Sequence, residues 1–144
     1  MPINITSANS SLRIVVPEFY PGGFTVDDFA ADSIFEVAAL DTKEELMSAD
    51  GKYHAGYIFN PTTLTISLAP TSSAGFRIDA WQSAERAAVA SFGCNAVITI
   101  PALSKKYNLV NGVLFSWTIT PPGQRVLGTR QAVFHFESVT GSDL

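Results

Sequence analysis

The sequence predicts a mainly β fold, an antiparallel β-sandwich or open barrel with one packed α-helix. Three observations point there. Residues 62–68 alternate strictly between apolar and polar side chains, which is the period of a half-buried strand. Several other short β-branched or aromatic runs are separated by Gly, Pro and Asn-Gly punctuation. Only one segment, about 75–92, carries a helical pattern, and no β-α-β alternation requires a parallel sheet. The 144 residues fit a single domain large enough to bury a core without disulfides or metal.

Taken in order, residues 1–10 are small and polar and read as a flexible N-terminal arm. The β-rich domain is expected over 11–139. Leu12–Val16 is its first strand by β-branching, closed by Pro17 and Pro21-Gly22-Gly23. Phe24–Asp32 reads as an acidic surface loop and Ile34–Leu40 as a second strand. The charged stretch that follows, within a long loop 41–54, admits a short helix but fits an exposed hairpin loop better, with the chain returning as a strand at Ala55–Phe59. Hairpin loops usually have about 2–5 residues, so one this long is expected to make a contact. In the next strand Leu64, Ile66 and Leu68 share one face, while Thr63, Thr65 and Ser67 share the other.

Ser72 or Ser73 is a suitable N-cap for the helix, and Gly93 a suitable residue beyond its end. Ile78, Trp81, Ala84, Ala88 and Phe92 fall on one helical face. Ala96–Ile100 is a strand. Asn111-Gly112 between two apolar runs predicts a tight hairpin, with Val113, Phe115, Trp117 and Ile119 on one face of its second arm. The last strand is expected over Thr129–Val139, and the C-terminal tail 140–144 is expected to be disordered.

Composition narrows function mostly by exclusion. Charged residues make up 15% of the chain, well below the usual ~25%, which points to a surface partly covered by other subunits. The net charge is −4, and Lys105-Lys106 is the one adjacent basic pair, so the basic stripe of a nucleic-acid binder is missing. A single cysteine, Cys94, excludes an internal disulfide and a cysteine cluster; a buried thiol is the default. There is no secretory pattern and no apolar run of membrane-spanning length, so a cytoplasmic site of synthesis is expected.

Catalytic chemistry finds no foothold. His54 and His135 are the only histidines and lie far apart in sequence; His54 is expected in the exposed loop and His135 on the polar face of its strand. No nucleophile elbow or phosphate-binding glycine loop is present. Asp27-Asp28, Asp32 and Glu44-Glu45 lack calcium-loop spacing and read as solvated acids. Phe115, Trp117, Phe134 and Phe136 read as core, because a stacking platform would want basic residues between the rings. No catalytic, metal-binding or cofactor-binding residue is assigned.

The order of elements carries a resemblance: a long charged loop with Ala49-Asp50-Gly51, a return into Thr62–Leu68, a Thr71-Ser72-Ser73 cap, one alanine-rich helix, Asn95–Ile100, and then an Asn-Gly hairpin and a final aromatic strand. Over roughly residues 11–138 this layout resembles the tail tube proteins of contractile-tailed phages. The resemblance implies a structural virion protein that forms hexameric rings, whose sheets join into an inner β-barrel. The rings stack into a tube around a channel that DNA traverses without specific binding. It also implies contacts with tail sheath and baseplate proteins, and a virion tail assembled in the host cytoplasm. The loop reaching the neighbouring ring would be Asp41–His54, with Asp41, Lys43, Glu44, Glu45, Met47, Asp50, Lys52 and Tyr53 as contact residues. Phe24–Asp32 departs from the tube pattern. The competing readings are another virion part such as a baseplate tube initiator, a ligand-binding β-sandwich using Trp81 or Trp117, and a small hydrolase.

Overall fold

The computed structural model describes residues 10–26, 35–121, 123 and 125–143. Among them are nine strands: β1 (Ser11–Val16), β2 (Tyr20–Thr25), β3 (Phe35–Val37), β4 (Lys43–Met47), β5 (Tyr53–Tyr57), β6 (Thr62–Leu68), β7 (Cys94–Ile100), β8 (Lys105–Trp117) and β9 (Arg130–Asp143). One α-helix, α1 (Ser73–Ala88), stands between β6 and β7. Seven strands form one sheet in the order β2-β1-β7-β8-β9-β6-β3, antiparallel at every step. β4 and β5 form a separate two-stranded ribbon.

The sheet curls strongly. Phe35 and Val37 on the edge strand β3 line a cavity of about 310 Å³ together with Ile98, Ile100, Tyr107 and Val139 from β7, β8 and β9. An edge strand facing the middle of its own sheet makes an open barrel, as the sequence predicts. The inner face carries Leu12, Ile14 and Val16, Leu64, Ile66 and Leu68, Ala96 and Ile98, Leu109, and Ala132, Phe134 and Phe136, all buried. The strict alternation of β6 puts Leu64, Ile66 and Leu68 inside and leaves Thr63, Thr65 and Ser67 half-exposed. α1 lies on the inner side through Ala74, Gly75, Ile78 and Trp81, and the Trp81 ring stacks on Phe134 with centroids 5.9 Å apart.

Several expectations are corrected. The helix ends at Ala88, with Val89 in the left-handed region at φ 51°, so Gly93 is not its stop. Ala84 is half-buried and Ala88 exposed: the core face covers only the first two and a half turns. The second strand shrinks to Phe35–Val37, and Pro21-Gly22-Gly23 and Phe24 lie within β2 instead of a turn and loop. Residues 1–9 and 27–34, with Asp27, Asp28 and Asp32, fall outside the described residues.

The largest correction concerns Asn111-Gly112. It does not turn the chain: β8 runs straight through it. Cys94 pairs with Gly112 and Ala96 with Leu109, so one β7 residue faces two on β8, which is a β-bulge. Asn111 takes the left-handed conformation at φ 54°, and its N–H donates to Asn95 Oδ1 at 2.9 Å. Gly112 lies over the Phe136 ring, where a Cβ would come within 2.2 Å of Cδ1. The glycine is there for close approach.

A second bulge falls between Leu114 and Ser116 opposite Phe134 and Val133. It shifts the phase, so Trp117 is buried while Phe115 and Ile119 are exposed and Val113 is at the margin. Phe115 is therefore not core; it stacks on His135 at 4.1 Å. The last strand continues past Val139 to Asp143, with Thr140 opposite Asn108 and Asp143 opposite Lys105. The predicted disordered tail is thus strand through Asp143.

Candidate assembly interface

Every residue of the β4–β5 ribbon is exposed. Its register pairs Lys43 with Tyr57, Glu45 with Ala55 and Met47 with Tyr53. The two-residue period puts these six side chains on one face. On that face the Tyr53 hydroxyl donates to Glu45 Oε1 at 2.7 Å, and Lys43 Nζ sits 4.7 Å from the Tyr57 ring centre. The hydrogen bond to Glu45 holds the Tyr53 phenol above its ordinary pKa. At the tip, Ser48 and the Lys52 N–H both donate to Asp50, which holds that carboxyl below its ordinary value.

At the base, hydrogen bonds tie the two legs of the ribbon together and continue the β3–β6 pairing below it. Ile58 N–H donates to the Thr42 carbonyl, Ala38 N–H to the Thr63 carbonyl, and Asn60 Nδ2 to the Asp41 carbonyl. Beyond these bonds it has no buried residue, yet Tyr53, Tyr57 and Phe59 are 58%, 62% and 90% exposed. Leu46 and Met47 are exposed as well. An isolated two-stranded hairpin is marginal in water, and monomeric proteins rarely expose so many large apolar side chains together.

The predicted contact residues therefore come together on one projection. Lys43, Glu44, Glu45 and Met47 lie on β4, Asp50 at the turn, Tyr53 on β5, Asp41 and Lys52 just outside the strands. Sequence reasoning did not single out Leu46, within the long loop, or Tyr57 and Phe59, within the returning strand, and all three are among the most exposed apolar residues. It also missed that residues 43–57 are a paired ribbon. The signal was available, since Lys43–Met47 and Tyr53–Tyr57 flank an Asp50-Gly51 pair.

The sheet itself offers two further surfaces. β2 and β3 are its edges, and an edge strand carries unpaired N–H and C=O groups. The outward face of β6 is small, polar and uncharged, with Thr63, Thr65 and Ser67, while that of β9 carries Gln131, Val133, His135 and Glu137.

On the inner side a buried polar node fixes the helix to the sheet. Arg130 is 3% exposed. Its guanidinium pairs with Asp79 on α1, donates to the Thr118 and Ile119 carbonyls, and lies 4.4 Å from the Trp117 ring centre. Trp117 Nε1 donates to the same Asp79 Oδ1 at 2.6 Å. Arg130 thus has its charge paired and its donors directed, as a buried guanidinium requires. The node also sets the path of the chain after β8.

The residues considered for chemistry lie apart. His54 is on the exposed ribbon and His135 on β9. Cys94 is buried, and its thiol is pushed up to about 12 by burial, with the Glu85 charge adding to the shift. Burial also raises the Glu85 carboxyl, partly offset by bonds from the Phe92 N–H and Ser91. Trp81 and Trp117 are buried, so neither forms a sugar platform. Among the described residues no three His, Cys, Asp or Glu side chains gather as a metal site would need, and no helix is long and apolar enough to cross a membrane.

Solved structures share this curled antiparallel sheet with one inner helix along its whole length. A chain of the anti-feeding prophage baseplate (6-fold symmetrised) superposes with a TM-score of 0.64 at 10% identity, covering 99% of this chain and 98% of its own. A chain from the sheath-tube complex of an extracellular contractile injection system in its extended state gives 0.63 at 13% identity, covering 98% and 93%. The tube-terminating cap of the anti-feeding prophage gives 0.58 at 13%, covering 100% and 95%. Residues 3–140 match the family described as tail fiber protein gp32, and the chain belongs to that family. No curated protein sequence matches it.

Proposed function

We propose that this chain is a tail tube subunit that forms hexameric rings, which stack around a channel for DNA ejection. The exposed β4–β5 ribbon carries this reading: among the described residues nothing buries its aromatic face, which a neighbouring ring would cover. The open β2 and β3 edges add to it, because joining β2 of one copy to β3 of the next would close the sheet and remove both edges. The likeness to a baseplate structure symmetrised six-fold supports a ring of six. The sparsely charged outward face and the acidic chain suit a wall past which phosphates slide, since DNA carries about one charge per 1.7 Å. Sheath and baseplate proteins are the expected outer partners, in a virion tail assembled in the host cytoplasm. The family name points to a tail part, and the edges and ribbon favour a ring position over a fibre shaft.

Negative-stain microscopy of the purified chain tests this. Rings and stacked tubes are expected, and replacing Lys43–Tyr57 with Gly-Asn should leave rings that no longer stack. A chain that stays monomeric at millimolar concentration contradicts the proposal. Wild-type rings that never stack would point to a baseplate tube initiator or a cap.

A further inference from the structure

We propose that the ribbon of one copy is received, on the next copy, by the groove between the C-terminal half of α1 and Ile119. This inference rests on the stacking reading above and names the surface that completes it. The groove measures about 530 Å³ and is lined by Gln82, Ser83, Arg86, Val89, Ala90 and Ile119, with Glu85 at its inner side. Val89 is 90% exposed and Ile119 62% exposed. The helix end is thus as poorly covered as the ribbon. Tyr53 and Met47 form an aromatic–aliphatic anchor of the kind that fills such a groove.

Charge matches in the same orientation. Arg86 has no carboxylate partner among the described residues, because Asp79 is taken by Arg130 and Glu85 accepts the Phe92 N–H. On the ribbon, Lys52 pairs with Asp50 and Lys43 covers Tyr57. Glu44 and Glu45 have no cationic partner among the described residues. Glu45, held beside Tyr53 by the phenol hydrogen bond, is the carboxylate that Arg86 would meet.

The register places the base of the ribbon and the Ile119 wall of the groove toward opposite ends of the strands. β6 opens at Thr62 opposite Phe136 and ends at Leu68 opposite Arg130. The ribbon leaves from the Thr62 end. Ile119 follows Trp117, which is level with Ala132 near the Arg130 end. Contact between unlike surfaces at opposite ends is heterologous and propagates as an open stack. The rival receiver, the Phe35–Val37 cavity, adjoins Val139 and Tyr107, beyond Phe136 on the ribbon's own side. Docking there would bring like ends together and close a pair.

Charge exchange in the full-length chain tests the proposal. Glu45→Arg and Arg86→Glu should each reduce the rings found in stacks at least tenfold, and the double variant should recover most of the wild-type stacking. Single variants that stack normally, or a double variant no better than either, overturn the groove assignment. If the ribbon replacement abolishes stacking while Arg86→Glu does not, the tube reading stands and the groove is wrong. If wild-type protein forms no rings, both fail. A second measurement fixes the rival: Met47→Cys protein mixed with Ala90→Cys protein should form an oxidised dimer, with buried Cys94 silent. Cross-linking of Met47→Cys with Val37→Cys instead overturns the proposal.

Discussion

Gly112 has no room for a methyl group, because the Phe136 ring occupies the position a Cβ would take. Gly112→Ala should destabilise the domain by about 2–3 kcal/mol, the upper range for overpacking a core, read as a lower urea midpoint at unchanged slope. Asp79→Ala strips the buried Arg130 guanidinium of its charge partner while two carbonyl acceptors remain. A loss of about 2 kcal/mol is expected, since the carbonyls offset part of an unpaired buried charge. Cys94 should resist iodoacetamide at pH 8 in the folded protein and react once unfolded, because burial keeps the thiol protonated. Glu85 gives a pH signature. Its folded pKa lies above the ordinary 4.5, so the folded state binds the proton more tightly, and stability falls as pH rises from 4.5 through the raised value. Glu85→Gln should flatten that part of the stability–pH curve. A curve as steep as the wild type would remove Glu85 as its cause.

The ribbon contributes no buried side chain, so replacing Lys43–Tyr57 by a short turn should leave the thermal midpoint within a few degrees of wild type, measured by circular dichroism. A large drop would mean that the ribbon is part of the fold. Legibility in the sequence followed local periodicity. β6 was plain because its alternation is unbroken over seven residues, and the start of α1 because a serine cap precedes Ile78 and Trp81 at helical spacing. The helix end was misread because alanines carry a helical pattern whether or not anything packs on them. Asn111-Gly112 misled for a related reason: the left-handed residue and the glycine that favour a hairpin also suit a bulge. Only the Phe136 ring, a tertiary partner 24 positions away, decides between the two. The second bulge at Phe115 then reversed the side-chain phase, which no local pattern shows. At the candidate interface, the charged residues of 41–54 were legible as a projection. Tyr57 and Phe59 were not, since an apolar side chain on a strand reads as core unless its neighbours are known.

At the scale of the molecule, the 15% charged composition has a structural counterpart. Many of the uncovered apolar residues lie on the ribbon and after β8, with Val89 at the end of α1, while Phe76, Leu103 and Phe115 stand apart from them. Raising the ionic strength should therefore weaken ring stacking only modestly if apolar burial dominates, with the Glu45–Arg86 contact supplying the salt-sensitive part. Sedimentation across a salt series would measure the balance, and complete dissociation at moderate salt would reverse it.

The long β8–β9 ladder, paired from Lys105–Asp143 to Trp117–Ala132, has a mechanical consequence. Its hydrogen bonds lie across the strand direction. Tension applied along those strands must shear many bonds together, whereas tension across them opens one at a time. A subunit loaded lengthwise would therefore yield at far higher force than one peeled from its edge, and optical-trap pulling from two attachment geometries would resolve that anisotropy.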